Sequence, residues 1–415
     1  MNHSPDILLA DFGNVRRHTL SLAEPLSDED CCVQSMPDAS PIKWHMAHTT
    51  WFFETFILER FEPRFQPHHP AFRVLFNSYY NGIGQKHPRA QRGLVTRPSV
   101  QEVLAYRRNV DERIACLLSK GESPDELSAL IELGLQHEKQ HQELMLTDVK
   151  HLLSMNPLNP AYRTVALEPS SAEMARMAWH DFDSGVTEIG YSSSGFCFDN
   201  EIPRHRVFTE SFSLASRLVG NGEYLAFIEA GGYAEPSLWL SEGWDWVRSN
   251  QLAHPFYWRS TDSGWKEFTL YGLQPLDVAR PAIHLSYFEA DAYARWAGAR
   301  LPTEAEWERA AATVGDTTAS TNAHRLHPVA AAGESGLCQL YGAAWQWTSS
   351  SYAPYPGYSP AEGAIGEYNG KFMANQYVLR GSSCATPSRH TRATYRNFFP
   401  TSACWQFTGI RLARS

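Results

Sequence analysis

The sequence contains no CxxC pair. Its seven cysteines, Cys31, Cys32, Cys116, Cys197, Cys338, Cys384 and Cys404, are odd in number and scattered. A disulfide framework is not expected from such a pattern, and a reducing compartment is the default. No apolar run approaches the roughly 18 residues that a membrane-spanning helix requires. The opening stretch MNHSPDILLADFGNVRRHTL has neither a signal-peptide core nor a cleavage site, so a cytoplasmic protein is expected. Basic residues are outnumbered, 36 Lys and Arg against 45 Asp and Glu, for a net charge of −9. A nucleic-acid binder needs a basic face, so that class is set aside. Low-complexity tracts are also missing, and the sequence carries no signal for an oligomeric state.

What is present is length and apolar content. A chain of 415 residues exceeds one ordinary core, so two domains, or three, are expected. Hydrophobic residues make up 43% and charged residues 20%, a globular balance. Aromatics reach 13%, with 13 tryptophans, which suits ring-on-ring packing or a pocket lined by rings.

The first part reads as a helical bundle. Residues 5–22 form a short amphipathic candidate. Ser40-Pro41 opens a second helix, with Ser at the N-cap and Pro at N1, running to about Phe61. Ser99 and Glu102 form a capping box for a third helix to about Lys120. Ser123-Pro124-Asp125-Glu126 is a second box, and its helix stops before Pro157. The link 62–98 is too long for a plain connector, and its aromatics and arginines mark it as functional. After Pro157 the texture shifts to short segments, glycine and turn signals. HRVFTESFSLA reads as a strand pair, YFEADAYARWAGA and TEAEWERAAA as helices, and WQFTGIRLAR as a strand. The expected division is a helical domain over 1–157, a linker over 158–180, and an α+β domain over 181–415.

Chemistry concentrates in HEKQHQE, where His137 and His141 stand four apart. On a helix they share a face with Gln140, Leu144 and Asp148. A solvated face is the plain alternative. A metal needs a third ligand, and the second helix offers His48 within a stripe of Trp44, Ala47, Trp51 and Thr55. A histidine on so aromatic a face is costly unless it is hydrogen-bonded or ligates something. His45 is the competitor, three residues earlier and off the stripe. Three neutral imidazoles leave coordination positions open, which suits catalytic Zn(II) or non-haem Fe(II).

SPIKWHMAHTTWFFETFIL followed by HEKQHQELMLTDVKHLL resembles the N-terminal, DinB-like domain of the sulfoxide synthases of ergothioneine biosynthesis, the hercynine oxygenase family. The second half is similar to their formylglycine-generating-enzyme-like domain, which has a C-type-lectin-like core. DNEIPRHRV, AFIEAGGY, LWLSEGWDWV, RLPTEAEWERAA, YGAAWQWTSSSYAPYPGY, VLRGSSCATP and TYRNFFP with FTGIRLA carry that similarity. The resemblance implies an enzyme that uses Fe(II) and O2 to couple C2 of hercynine (Nα-trimethylhistidine) to a thiol, giving a sulfoxide. By motif match, His48, His137 and His141 are the iron ligands. Gln140 contacts hercynine, and Asn397 and Phe398 hold its trimethylammonium group.

The chain departs from other members at Phe398-Phe399, where they carry Trp-Asp. Loss of that acid points away from γ-glutamylcysteine and toward the branch that uses L-cysteine. That branch resembles this chain in FNSYYNGIG, and places Tyr79 and Tyr80 on the oxygen side of iron. Successive residues of an extended segment point opposite ways, so one of the pair is expected to face the metal. Loop packing is the plain alternative. Arg89 and Arg92 are candidates for holding the donor carboxylate, with a solvated loop as the alternative. Formylglycine-generating activity is not expected. Those enzymes have two copper-binding cysteines where this chain has Thr386 and Thr391, and Cys384 is out of register. Remaining alternatives are γ-glutamylcysteine as donor, a selenosugar in selenoneine synthesis, a zinc-dependent DinB-type thiol transferase, and a metal-stabilised binding module.

Overall fold

The computed structural model describes residues 5–119, 124–170, 174–315, 325–331 and 336–415. The chain divides into two compact units. The first is Met1–Leu158 with Ser194–Phe196 and Ala361–Tyr368, and the second is the remainder.

Four helices build the first unit: α1 (Pro5–Ala23), α2 (Ile42–Phe53), α3 (Val100–Leu118) and α4 (Asp125–Ser154). The helix α2 continues through a π-helical turn, Glu54–Leu58, and a last α turn, Glu59–Phe61. Its start differs from the sequence reading. Pro41 rather than Ser40 is the N-cap residue; its ring has no acceptor to cap with, and the Ser40 hydroxyl instead accepts from Arg92 Nη1 at 2.9 Å. The Ser99–Glu102 capping box forms as expected. Ser123 lies outside the described residues. At 30 residues, α4 is about 45 Å long.

Two features fix α4 against its neighbours. A Cβ on Gly134 would stand 2.7 Å from the Phe53 ring, so only glycine allows this close approach to α2. Four residues on, the buried Glu138 accepts from Arg16 Nη1 at 2.9 Å, and from Arg107 and Thr19. Burial alone would raise the Glu138 carboxyl, but Arg107 and Arg16 hold it down to about 2. Removing one partner of such a buried network leaves an uncompensated charge, so α4 is locked in rotation about its axis.

The second unit is α+β. Its largest sheet runs β10 (Asn397–Phe399), β9 (Tyr377–Gly381), β8 (Trp345–Ser351), β11 (Thr408–Gly409). A three-stranded sheet joins β1 (Trp179–Phe182), β4 (Phe212–Ala215) and β12 (Ala413–Arg414), and another joins β5 (Trp258–Thr261), β6 (Gly264–Thr269) and β7 (Gly272–Pro275). The helices Tyr287–Trp296 and Glu304–Ala312 each open on a capping box, at Ser286 and Thr303. HRVFTESFSLA does form two strands, β3 (His205–Thr209) and β4, but they are not a hairpin. β3 pairs with β2 (Gly185–Ile189), and β4 with β1 and β12. WQFTGIRLAR is two short strands because the chain passes from one sheet to the other between Thr408 and Arg414. Residues after Asn159 are tied into this unit. The Arg163 N–H donates to Leu270 O at 2.8 Å, and the Ser170 N–H to Asp277 Oδ2 at 2.9 Å.

Candidate metal centre

Among the described residues, His48, His137 and His141 form the cluster able to hold a metal, with ligand atoms all within 4.8 Å of one another. α2 supplies His48, and α4 supplies the other two, one turn apart. The His48 ring is wedged between Trp44 at 4.6 Å and Trp51 at 5.5 Å, stacked on both. Phe52 lies 4.8 Å from the His137 ring.

The nitrogen atoms show what these rings are prepared to do. His48 Nδ1 lies 2.6 Å from Phe76 O. A carbonyl only accepts, so Nδ1 carries the hydrogen and Nε2 keeps its lone pair. That Nε2 is buried without a hydrogen-bond partner, as are both nitrogens of His137. Buried polar atoms are nearly always satisfied, so orphaned imidazole nitrogens converging within coordination reach fit a metal ion. Burial pushes His48 and His141 well below the ordinary histidine value, and His137 down to about 3. All three are therefore neutral and able to ligate at pH 7.

This has a measurable consequence in the metal-free protein. The folded state refuses protons that the unfolded chain accepts below about pH 6.5, so stability falls as pH drops from there toward the depressed values. Each such histidine contributes a slope of up to about 1.4 kcal/mol per pH unit. Thermal melts between pH 7.5 and 4.5 are expected to show a flatter acid dependence for His137→Phe than for wild type. An unchanged slope would mean that His137 is not held neutral.

His45 does not join the cluster. Its Nδ1 lies 2.8 Å from His141 Nδ1, and its Nε2 lies 3.0 Å from Asp148 Oδ2. The stripe argument that ranked it below His48 assumed that α2 has a solvent face. It has none, since every residue from Ile42 to Phe53 is buried.

The tyrosine pair departs from the expected alternation. Tyr79 and Tyr80 have ring centroids 4.5 Å apart, and the Tyr79 hydroxyl donates to that of Tyr80 at 3.4 Å. Asn77 is the reason. Its side chain accepts from the Tyr80 N–H at 3.0 Å and donates to Tyr80 O at 2.9 Å, so the segment is a side-chain-bridged turn rather than an extended strand. Tyr80 is fully buried against Trp51 and Phe56, and burial raises its phenol well above the usual value. Tyr79 is half-buried.

The segment Ala361–Tyr368 adds residues that sequence reasoning missed. The Tyr368 hydroxyl donates to Gln140 Oε1, and its ring lies 5.6 Å from His137 and 6.4 Å from Tyr79. Glu367 accepts from the Asn81 N–H at 2.9 Å and the Gly82 N–H at 2.6 Å, holding the turn that follows Tyr80. No periodic pattern near residue 368 announces this, because the pairing spans more than half the chain.

Arg92 is buried, with its guanidinium 3.4 Å over Trp44 and Nη1 donating to Ser40 Oγ at 2.9 Å. Burial, then Arg89, lowers it to about 9. Its Nε has no partner. Arg89 is exposed and donates to Asp38 O. In the second unit, Phe398 stacks on Tyr352 at 4.0 Å, with Phe372 at 5.8 Å, while Phe399 lies 6.4 Å from Trp405. The alternation of β10 sends the two phenylalanines to different neighbours. Asn397 Oδ1 accepts from the Phe398 N–H at 2.9 Å.

Residues 11–145 match the DinB superfamily model, and residues 161–415 match that of the sulfatase-modifying factor enzyme 1-like domain. A DinB-type helical domain followed in one chain by a sulfatase-modifying-factor-type domain is the class these two halves define. The chain is 33% identical over 446 aligned positions to a hercynine oxygenase of Mycobacterium tuberculosis, covering 99% of each. It is 31% identical over 430 to one of Mycolicibacterium thermoresistibile, covering 96% of this chain and 93% of that one. The chain belongs to the hercynine oxygenase family. Its second half is also similar to the formylglycine-generating enzyme of M. tuberculosis, 31% identical over 156 positions, 30% of this chain and 48% of that enzyme. Among the described residues, no helix is long and apolar enough to cross a membrane.

Proposed function

We propose that this chain is a non-haem Fe(II)- and O2-dependent sulfoxide synthase of ergothioneine biosynthesis, joining C2 of hercynine to the sulfur of L-cysteine in the cytoplasm. The reaction balances without an outside reductant. The C2–H and S–H bonds are lost, a C–S bond and an S=O bond form, and O2 supplies the sulfoxide oxygen and one water. The observation that carries this reading is the convergence of His48, His137 and His141, with His48 Nε2 and both His137 nitrogens buried and unpartnered, in a chain of this family. Bound Fe(II) would supply the one-electron chemistry with O2 that closed-shell Zn(II) lacks. The iron-binding domain is assigned to 1–157, a linker to 158–180 that packs onto the second unit through Arg163 and Ser170, and the second domain to 181–415.

Each remaining residue has a role in this proposal. Gln140 binds hercynine, with its Oε1 already oriented by Tyr368. Tyr79 and Tyr80 manage a proton. Arg92 holds the carboxylate of the thiol donor, since a buried guanidinium with an unpartnered Nε favours an anion, and Arg89 assists from the exposed side. Phe399, where relatives carry an acid, favours cysteine over γ-glutamylcysteine. The test is anaerobic Fe(II) loading, then hercynine, O2 and cysteine, γ-glutamylcysteine or a selenosugar, read by mass spectrometry. Equal turnover with Zn(II), or no coupled product from any donor, would overturn the proposal.

Asn397 and Phe398 hold the trimethylammonium group, which has no hydrogen to donate and is attracted to ring faces. Tyr352 and Phe372 lie against Phe398, so the ring belongs to an aromatic cluster of the kind that attracts such a cation. Phe398→Ala is expected to raise the hercynine KM by a few-fold to about thirty-fold, matching roughly 0.5–2 kcal/mol for a cation–π contact, with a smaller change for the thiol. Equal turnover of histidine and hercynine by the wild type would remove this role.

A further inference from the structure

We propose that His45 and Asp148 form a positioning pair that sets the tautomer of His141, and so decides which of its nitrogens is offered to the metal. The inference deepens the metal-centre reading and rests on it.

The geometry is a line of three side chains. Asp148 Oδ2 lies 3.0 Å from His45 Nε2, and His45 Nδ1 lies 2.8 Å from His141 Nδ1. Asp148 is itself anchored, since the same Oδ2 accepts from the Ser40 N–H at 2.8 Å. All three residues are buried. An ionised carboxylate can only accept, so His45 Nε2 carries a hydrogen. With Nε2 as the one protonated nitrogen of the His45 ring, Nδ1 has only a lone pair. Two facing nitrogens at hydrogen-bond distance need one hydrogen between them, and it must come from His141 Nδ1. His141 is left with its lone pair on Nε2. His48 reaches the same tautomer by a different acceptor, the Phe76 carbonyl. The two ligands are thus prepared unequally. One is backed by a neutral carbonyl, the other by a carboxylate acting through an intervening imidazole. Partners of this kind orient a ligand and raise its basicity.

Helix geometry makes the arrangement self-consistent. His141 and Asp148 are seven apart on α4, two turns along one face, and His45 and His48 are three apart on α2. Two helices therefore meet through paired rungs, one rung ligating and one supporting.

The direct test needs no metal. Long-range 15N correlation spectra of the metal-free, histidine-labelled protein are expected to show His141 as a single tautomer with its hydrogen on Nδ1. His45→Phe keeps a ring and removes the acceptor, and should give a mixture. A hydrogen on Nε2 of wild-type His141 would overturn the proposal. Titration with Co(II) is the second readout. His45→Phe is expected to weaken affinity about 10–100-fold while keeping one site per chain, with a smaller loss in Asp148→Asn. The control is His151→Phe, on the same helix with its Nδ1 on Ser35 Oγ at 2.7 Å, which should bind as wild type does. Unchanged affinity in both test variants would reduce the pair to packing. Complete loss of the site in His45→Phe would make His45 a ligand and the proposal wrong. If wild type shows the Nδ1–H tautomer but takes up no Co(II), the metal-centre reading fails rather than the tautomer assignment.

Discussion

His48→Ala, His137→Ala and His141→Ala are each expected to abolish metal uptake and reduce turnover to background. Three imidazoles make up the proposed ligand set, so removing one leaves two donors and no spare among the described residues. The substitutions differ in collateral damage. His48 is clamped between Trp44 and Trp51, and its loss opens a cavity between two stacked rings. His137 makes no hydrogen bond through either nitrogen, so its removal unpairs nothing. It is therefore the cleanest variant: metal lost, fold kept. Metal content after anaerobic loading, with circular dichroism and thermal melts alongside, separates the two effects. His45→Ala is expected to be milder than all three. If His45→Ala emptied the site and His48→Ala did not, the ligand assignment would be wrong.

The second large effect is expected at the tyrosines. A thiol and O2 can also give a sulfinate, in which both oxygen atoms end on sulfur. Sulfoxide synthesis requires that the thiol couple to the imidazole instead, and a phenol that delivers a proton at the right moment steers that choice. Tyr80 is suited to hold a proton, because burial keeps its phenol protonated throughout the neutral range. Tyr79 reaches it through a hydroxyl contact and is the more open of the two. We expect Tyr79→Phe or Tyr80→Phe to cut sulfoxide formation by roughly 100-fold or more, with sulfinate rising in proportion and metal and hercynine binding spared. Because the pair acts as a unit, the double variant should be scarcely worse than the poorer single one. Product ratios by mass spectrometry decide it. Wild-type rates and ratios in all three variants would leave the pair as packing. A switch to sulfinate in Tyr368→Phe alone would move the proton source to Tyr368.

Local patterns made much of this protein legible before any coordinates. Ser99 and Glu102 mark a helix start because a capping box is a contact between residues three apart. His137 and His141 share a face because 3.6 residues make a turn. The change from long periodic runs to short segments after Pro157 reflects a helical bundle followed by small sheets. The order of the two halves carried the family.

The tertiary structure decided the rest, wherever a residue's environment comes from chain far away. α2 is buried on every side, so hydrophobic periodicity held no information about which of His45 and His48 ligates. Only the positions of Phe76, His141 and Asp148 distinguish them. The tyrosine pair defeated the period-2 rule because the Asn77 side chain bends the backbone, and a side chain is invisible to a backbone repeat. HRVFTESFSLA contains two strands, yet their partners are set by pairing with β1, β2 and β12, not by the two residues between them. Tyr368 and Glu367 reach the helical unit from more than 200 residues away along the chain. Sequence periodicity reports the geometry of neighbouring residues. Which distant surfaces meet is settled by packing and by the need to satisfy every buried polar group, and those exist only in the folded chain.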